Sequence, residues 1–149
     1  MIFERMKDIR TYFDNTKKEL ADFLNVSRST YAGWKNGIDA IPLLKLKDFC
    51  NFYGISLDYI CGLTNTKKYD ISNDKIDKET LGNNLKNIRT NNNDTQEKTA
   101  NIIKVDQSNY SKYELGKILI NAYPLIEFAK HYKVSIDWIC GKTKDSDIK

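Results

Sequence analysis

The sequence predicts an all-α protein built from two tandem five-helix units joined by a polar linker. Apolar residues recur at helical spacing, and capping residues and glycines punctuate the chain at short intervals. No stretch shows the period-2 alternation of a half-buried strand. Sliding the chain by 79 residues aligns residues 6–64 with residues 85–143 without a gap, and about one third of the aligned pairs are identical.

This duplication sets the expected boundaries: a first unit at 1–64, a linker at 65–79, a second unit at 80–144 and a tail at 145–149. The linker is rich in Asn, Asp and Lys and balanced in charge. We expect little core from it, with Tyr69 or Ile71 as the residues that could pin it to a neighbouring unit.

The first half of unit one carries the signals of three helices. A stripe of Ile2, Met6, Ile9 and Phe13 predicts the first, and the stripe of Leu81, Leu85 and Ile88 repeats it in unit two. Thr16 with Glu19 three residues later is a capping box that begins the second helix. Asn25 stands at a turn, where it tolerates a left-handed backbone, and Ser27 caps a third helix that stops at Gly37.

Two more helices follow. Pro42 suits the start of a fourth helix, which Gly54 ends. Ser56 caps a short fifth helix closed by Gly62, within the heptapeptide SLDYICG that returns as SIDWICG at residues 135–141. The dipole of each short helix favours the negative charge of Asp58 or Asp137 in its first turn.

Composition excludes several classes of function. Three widely spaced cysteines and the single His131 favour neither a disulfide framework nor a zinc site, so Cys61 and Cys140 are expected as small buried apolar groups. No apolar run could span a bilayer, no secretory signal begins the chain, and we expect a cytoplasmic location. Catalytic motifs are missing, so we expect neither an enzyme nor a cofactor. The net charge of +4 is too small for histone-like binding.

The segment TKKELADFLNVSRSTYAGWKNG (16–37) has the form of two short helices joined by a tight turn. It resembles the helix-turn-helix of the phage repressor and Cro family, also called the XRE family, in its Leu-Ala pair, its Val-Ser turn and its closing Trp-x-x-Gly. TQEKTANIIKVDQSNYSKYELG (95–116) resembles the same motif in unit two. The resemblance implies a repressor-like fold and binding to double-stranded DNA.

The third helix of each unit would then enter the major groove. Arginine can bond guanine bidentately, glutamine and asparagine can do so with adenine, and short hydroxyls allow a close approach. Tyr31, Trp34, Tyr110 and Tyr113 are expected in the core. The residues expected at DNA are Lys17, Arg28, Ser29, Thr30, Gly33 and Lys35 in unit one, together with Gln96, Gln107, Ser108, Asn109, Ser111 and Lys112 in unit two.

Both units depart from the family pattern. The resemblance implies an ion pair between an arginine of the first helix and a glutamate ending the third, which unit two retains as Arg89 and Glu114. Unit one has Arg10 but Lys35, so Arg10 could turn to Asp14, or both cations could face phosphate. Unit two has Lys104 where a turn favours Gly or Asn, and Thr99 where Leu is usual, so we expect its motif to be less stable.

These observations predict a sequence-specific transcription regulator, a repressor of phage or mobile-element type with two non-identical half-sites. Fully extended, a 15-residue linker reaches about 50 Å, which exceeds the roughly 34 Å between successive major grooves. One chain could therefore form an intramolecular pseudo-dimer, and a homodimer presenting four units is the competing arrangement. The alternative function is a protein-interaction module, antitoxin-like or antirepressor-binding, with one degenerate unit.

Overall fold

The computed structural model describes residues 2–37, 40–68 and 73–149, and these residues form ten α-helices and no β-strand. The all-α prediction is therefore confirmed. Unit one comprises α1 (Ile2–Tyr12), α2 (Lys17–Phe23), α3 (Arg28–Lys35), α4 (Leu43–Tyr53) and α5 (Leu57–Ile60). Unit two comprises α6 (Lys78–Asn91), α7 (Gln96–Ile103), α8 (Gln107–Glu114), α9 (Ala122–Tyr132) and α10 (Ile136–Ile139). The candidate linker anchors Tyr69 and Ile71 lie outside the described residues.

The predicted caps form as expected. The Thr16 hydroxyl accepts from the Glu19 N–H at 3.0 Å, and the Glu19 carboxylate accepts from the Thr16 N–H at 3.1 Å, which completes the capping box. Ser27 and Ser56 accept from N–H groups in the first turns of α3 and α5. Pro42 precedes α4 as its N-cap residue.

Left-handed residues separate the elements. Asn25 has φ 57° in the turn between α2 and α3, and Lys104 has φ 60° at the same place in unit two. Gly37, Gly54 and Gly62 also have positive φ, at the helix ends where the sequence predicted stops. Lys104 therefore adopts a conformation that a side chain with a Cβ disfavours.

One position of the predicted α1 stripe is wrong. Ile2, Met6 and Ile9 are buried, but Phe13 lies beyond the end of α1 and is 48% exposed. The Phe13 N–H still donates to the Ile9 carbonyl oxygen at 3.2 Å, but the chain leaves the helix directly afterwards, where Asp14 has φ 58°, so Phe13 lies at the end of the stripe.

Each unit closes its short last helix against its first helix. Arg5 on α1 donates to the carbonyl oxygens of Tyr59 and Thr64. Asn84, at the matching place on α6, donates to those of Trp138 and Ile139 at 3.2 and 3.1 Å. The helix ends of α5 and α10 are thereby fixed in equivalent ways, although the two side chains differ in charge.

The segments outside the helices also bond to the units. The Ser56 N–H donates to the Lys67 carbonyl oxygen at 2.8 Å. At the matching position in unit two, the Ser135 N–H donates to the Ser146 carbonyl oxygen at 3.0 Å. The Asn51 side chain donates to the Asp74 carbonyl at 2.7 Å. The described parts of the linker therefore lie against the fold, and α6 begins at Lys78, inside the segment expected to be linker.

The two units meet through α5 and α10, which cap each other. Both oxygens of the buried Asp137 accept from N–H groups of α5, Leu57 at 2.9 Å and Asp58 at 2.8 Å. The buried Asp58 accepts from the Ile136 N–H and the Ser135 hydroxyl, both at 2.6 Å. The expected role of these aspartates needs correction: each lies in the first turn of its own helix, but its carboxylate caps the helix of the other unit.

The three cysteines are free and buried around this contact. Burial raises the pKa of Cys50, Cys61 and Cys140, which keeps the thiols protonated. Lys142 is fully buried, and its charge slightly opposes this effect at Cys50 and Cys140. The cysteines act as small apolar groups, as the sequence predicted.

Candidate nucleic-acid interface

Helix α3 is held by the turn before it and by the core beneath it. Ala21 of α2 is buried at the crossing, and Tyr31 and Trp34 of α3 point into the core, as predicted. The Ser27 hydroxyl accepts from the Thr30 N–H at 3.0 Å, which fixes the first turn. The opposite face of α3 is left facing solvent.

Four of the expected residues line this exposed face of α3, and one does not. Arg28, Ser29, Thr30 and Lys35 are exposed. Gly33 lies between Ser29 and Thr30 on the helix surface but is itself buried, so it is not open to a partner as expected. The hydroxyls of Ser29 and Thr30 lie 3.0 and 2.9 Å from that of Ser27, so both are held at the helix start.

A cleft between α2 and α3 collects positive charge. It has a volume of about 420 Å³, and Lys17, Arg28, Ser29 and Lys35 line it. The Lys35 ammonium lowers the pKa of Lys17, because two cations lie close together there. Neither lysine forms an ion pair with a described residue, so the cleft suits an anion.

At the corresponding place in unit two, a glutamate balances the positive charge. Arg89 of α6 and Glu114 of α8 form two hydrogen bonds, at 2.6 and 2.9 Å, which confirms the predicted ion pair. Burial alone would raise the pKa of Glu114, but the bonds from Arg89 and Gln96 outweigh it and hold this pKa below its usual value. Gly82 lets α6 approach α8 here, since a Cβ would lie 2.4 Å from the Tyr113 carbonyl oxygen.

Arg10 occupies the place of Arg89 without its partner. Its guanidinium donates to the Asn15 carbonyl at 2.7 Å, as that of Arg89 does to the Asp94 carbonyl at 2.8 Å. Its buried Nε, which in Arg89 bonds the glutamate, has no acceptor among the described residues. Arg10 therefore does not turn to Asp14.

The exposed face of α8 differs from that of α3. Gln107, Ser108, Asn109 and Lys112 are exposed, and Ser111 is half-buried. Gln96 is also half-buried, because its side-chain amide donates to Glu114 at 3.1 Å. The exposed groups are thus mainly neutral amides and hydroxyls, where unit one presents cations.

Thr99, the polar residue at a usual leucine position, is accommodated by hydrogen bonds. It is fully buried, and its hydroxyl lies 2.8 Å from that of Tyr132, which donates to the Asp94 carboxylate at 2.7 Å. A buried hydroxyl with partners costs far less than an unpaired one. Thr99 therefore gives no reason for a weaker unit two.

The sequence did not predict two residues that line the clefts. Asn36 borders the cleft of unit one, and Lys86 borders that of unit two, which has a volume of about 300 Å³. Lys86 could have been found, because Lys7 and Lys86 are identical across the duplication and lie one helical turn before Arg10 and Arg89. Asn36 follows the last residue of α3 and carried no comparable signal.

Comparison with known proteins agrees with this architecture. Residues 6–60 match the family model described as helix-turn-helix, and residues 82–143 match one described as a helix-turn-helix domain. The chain is 33% identical over 64 residues to an uncharacterised HTH-type transcriptional regulator, YobD, of Bacillus subtilis (strain 168). That match covers 43% of this chain and 57% of the relative. No solved structure matches the chain.

The fold and the two family matches define the class as that of the helix-turn-helix proteins. Within that class the chain belongs to the XRE-like helix-turn-helix proteins, with two copies of the domain in tandem. No helix among the described residues is long and apolar enough to cross a membrane. The described residues also contain no group of three or more His, Cys, Asp or Glu that could hold a metal ion.

Proposed function

We propose that this protein is a cytoplasmic, sequence-specific transcription regulator whose single chain binds a bipartite DNA site. In this proposal residues 1–64 and 80–144 are the DNA-binding domains, 65–79 the linker and 145–149 the tail. Helices α3 and α8 enter the major groove at two non-identical half-sites. The name of the Bacillus subtilis relative supports a role in transcription.

The reciprocal capping of α5 and α10 carries this proposal. Asp58 and Asp137 are equivalent in the duplication, and each bonds the helix that bears the other. An exchange of equivalent contacts is the pattern of a two-fold dimer interface. Two-fold dimers of helix-turn-helix proteins place their recognition helices one DNA turn, about 34 Å, apart.

The two helices would contribute in different ways. The cation cleft of unit one suits phosphate, since Lys17 and Lys35 lack acidic partners among the described residues, and Arg28 beside it suits guanine. Gln107 and Asn109 of unit two suit adenine. We expect repression in the manner of phage and mobile-element repressors, by occupation of DNA that a promoter needs.

Selection of bound sequences from random duplex DNA tests the proposal. We expect a two-part consensus, bound by one chain per site. Arg28→Ala and Gln107→Ala should each relax base preference in one half only, with a loss of about 1–3 kcal/mol for the preferred base. Lys130→Ala on α9, an exposed cation outside both clefts, is the control.

A salt titration completes this test. The logarithm of affinity should fall with the logarithm of salt concentration at a slope that reflects about 6–10 phosphate contacts. A one-part consensus, or base preferences unchanged in both variants, would show that the chain does not use two recognition helices. A reporter gene with the selected site in its promoter then distinguishes repression from activation.

A further inference from the structure

Unit one carries a run of five aromatic rings at its surface. Tyr12 contacts Phe13 with ring centroids 5.1 Å apart, and Phe13 contacts Tyr53 at 5.2 Å. Tyr53 contacts Phe52 at 4.8 Å, and Phe52 contacts Phe23 at 4.0 Å. All but the buried Tyr53 are between 43% and 78% exposed. We name these five residues the aromatic ridge.

Unit two shows that the fold does not require this ridge. Four of the equivalent positions hold Asn91, Asn92, Ile102 and His131, and only Tyr132 keeps a benzene-type ring. The two asparagines and the histidine are exposed. Two units of one architecture thus differ at this surface, and a continuous exposed apolar patch on one of them marks an interaction site.

A cleft at one end of the ridge indicates the chemistry of the partner. It has a volume of about 390 Å³, with Tyr12, Phe13 and Tyr53 of the ridge beside Ile9 and Ile55. Among the described residues, the charged ones that line it are Lys67 and Lys68, both exposed. An apolar floor with a positive rim complements an apolar segment that carries negative charge.

We propose that the aromatic ridge and this cleft bind a partner protein through an acidic, apolar segment, a function separate from the binding of DNA. A second copy of this chain fits poorly, because an isologous contact at the cleft would bring the lysines of both copies together. Single-stranded nucleic acid needs open ring faces for its bases. The ridge rings instead contact one another at interplanar angles between 32° and 81°, so they do not form a row of separate parallel faces for successive bases.

Selection from a displayed library of random 16-residue peptides on the full-length protein tests this inference. We expect enriched peptides to combine aromatic or aliphatic residues with net negative charge. Phe13→Asn with Phe52→His installs the residues of unit two, and this double variant should bind the selected peptides at least about tenfold more weakly. Leu115→Asn, which removes an exposed apolar residue of unit two, should leave peptide binding unchanged.

Two further measurements separate the possible partners. Lys67→Glu with Lys68→Glu should reverse the charge preference of the enriched peptides, while the Phe13 and Phe52 variants keep wild-type affinity for duplex DNA. The inference is overturned if enriched peptides lack an acidic bias, bind the double variant equally well, or do not appear. It is also overturned if sedimentation shows ridge-dependent self-association, or if a poly-dT oligonucleotide binds the ridge.

Discussion

At the scale of single residues, the duplication provides an internal comparison of one arginine with two different partners. Arg89 forms an ion pair with Glu114, whereas the buried Nε of Arg10 has no acceptor among the described residues and its charge helps to lower the pKa of Lys17. The arginine that forms an ion pair in unit two therefore has no carboxylate partner among the described residues of unit one. Lys35, in place of the glutamate at the equivalent position 114, therefore removes a stabilising ion pair and adds positive charge at the proposed DNA surface.

Lys35→Glu should restore the ion pair and remove this positive charge. The new carboxylate would accept from the buried Arg10 Nε and remove the repulsion felt by Lys17. We expect stability to rise, and the salt slope of DNA binding to fall by about one phosphate contact or more. Urea unfolding and a salt titration measure these two effects.

Lys35→Gln is the matched control for this prediction. It removes the charge without creating a pair, so DNA affinity should fall while stability changes little. The assignment of the cation cleft to phosphate fails if Lys35→Glu raises stability but leaves the salt slope at its wild-type value. In that case the cleft would be a feature of unit one without a role in binding.

At the scale of the helices, the sequence predicted the elements whose signals are local. A capping box, a left-handed asparagine and a helix-ending glycine each act within about four residues, so Thr16, Asn25 and Gly37 could be interpreted from their neighbours. Phe13 was misplaced because the period of α1 does not show where the helix ends. Gly33 is buried on the predicted face, because a glycine has no side chain that reaches past its neighbours.

The turn between the two motif helices gives a prediction at this scale. Lys104 has φ 60°, and Asn tolerates this conformation better than Lys. Lys104→Asn should therefore stabilise the protein by about 0.5–1 kcal/mol. Asn25→Lys makes the opposite exchange at the equivalent turn, where φ is 57°, and should destabilise it by a similar amount.

Urea unfolding of both variants tests the pair together. Each change keeps the left-handed backbone conformation and exchanges only the residue that adopts it. The two changes in the free energy of unfolding must therefore have opposite signs. If Lys104→Asn destabilises the protein, the lysine side chain contributes a contact that outweighs its backbone conformation.

At the scale of the whole molecule, the contact between the units decides how α3 and α8 are placed relative to each other. Within their heptapeptides, Asp58 and Asp137 show only one role, an acidic residue that interacts with the dipole of its own helix. In the structure, each carboxylate accepts hydrogen bonds from groups about 80 residues away in the sequence, and no local pattern predicts such contacts. The docking also engages α5 and α10 within one chain, which favours the intramolecular pseudo-dimer over a homodimer through the same helices.

This docking predicts how the protein should respond to the spacing of its half-sites. If α5 and α10 fix the two units, inserting five base pairs, about half a helical turn, between the half-sites should weaken wild-type binding at least tenfold. Asp58→Ala with Asp137→Ala leaves buried N–H groups unpaired, at a cost of about 1–3 kcal/mol each. The units should then separate while each retains its own core.

Binding curves on the two operators, measured for wild type and for this double variant, provide the test. The variant should bind the original operator more weakly than wild type, and the insertion should weaken it by less than about threefold, since a tethered pair of independent units tolerates a range of spacings. Circular dichroism confirms that the variant remains helical, and single half-site affinities should match those of wild type. If wild type tolerates both spacings equally, the α5–α10 contact does not hold on DNA, and the two units bind as independently tethered domains.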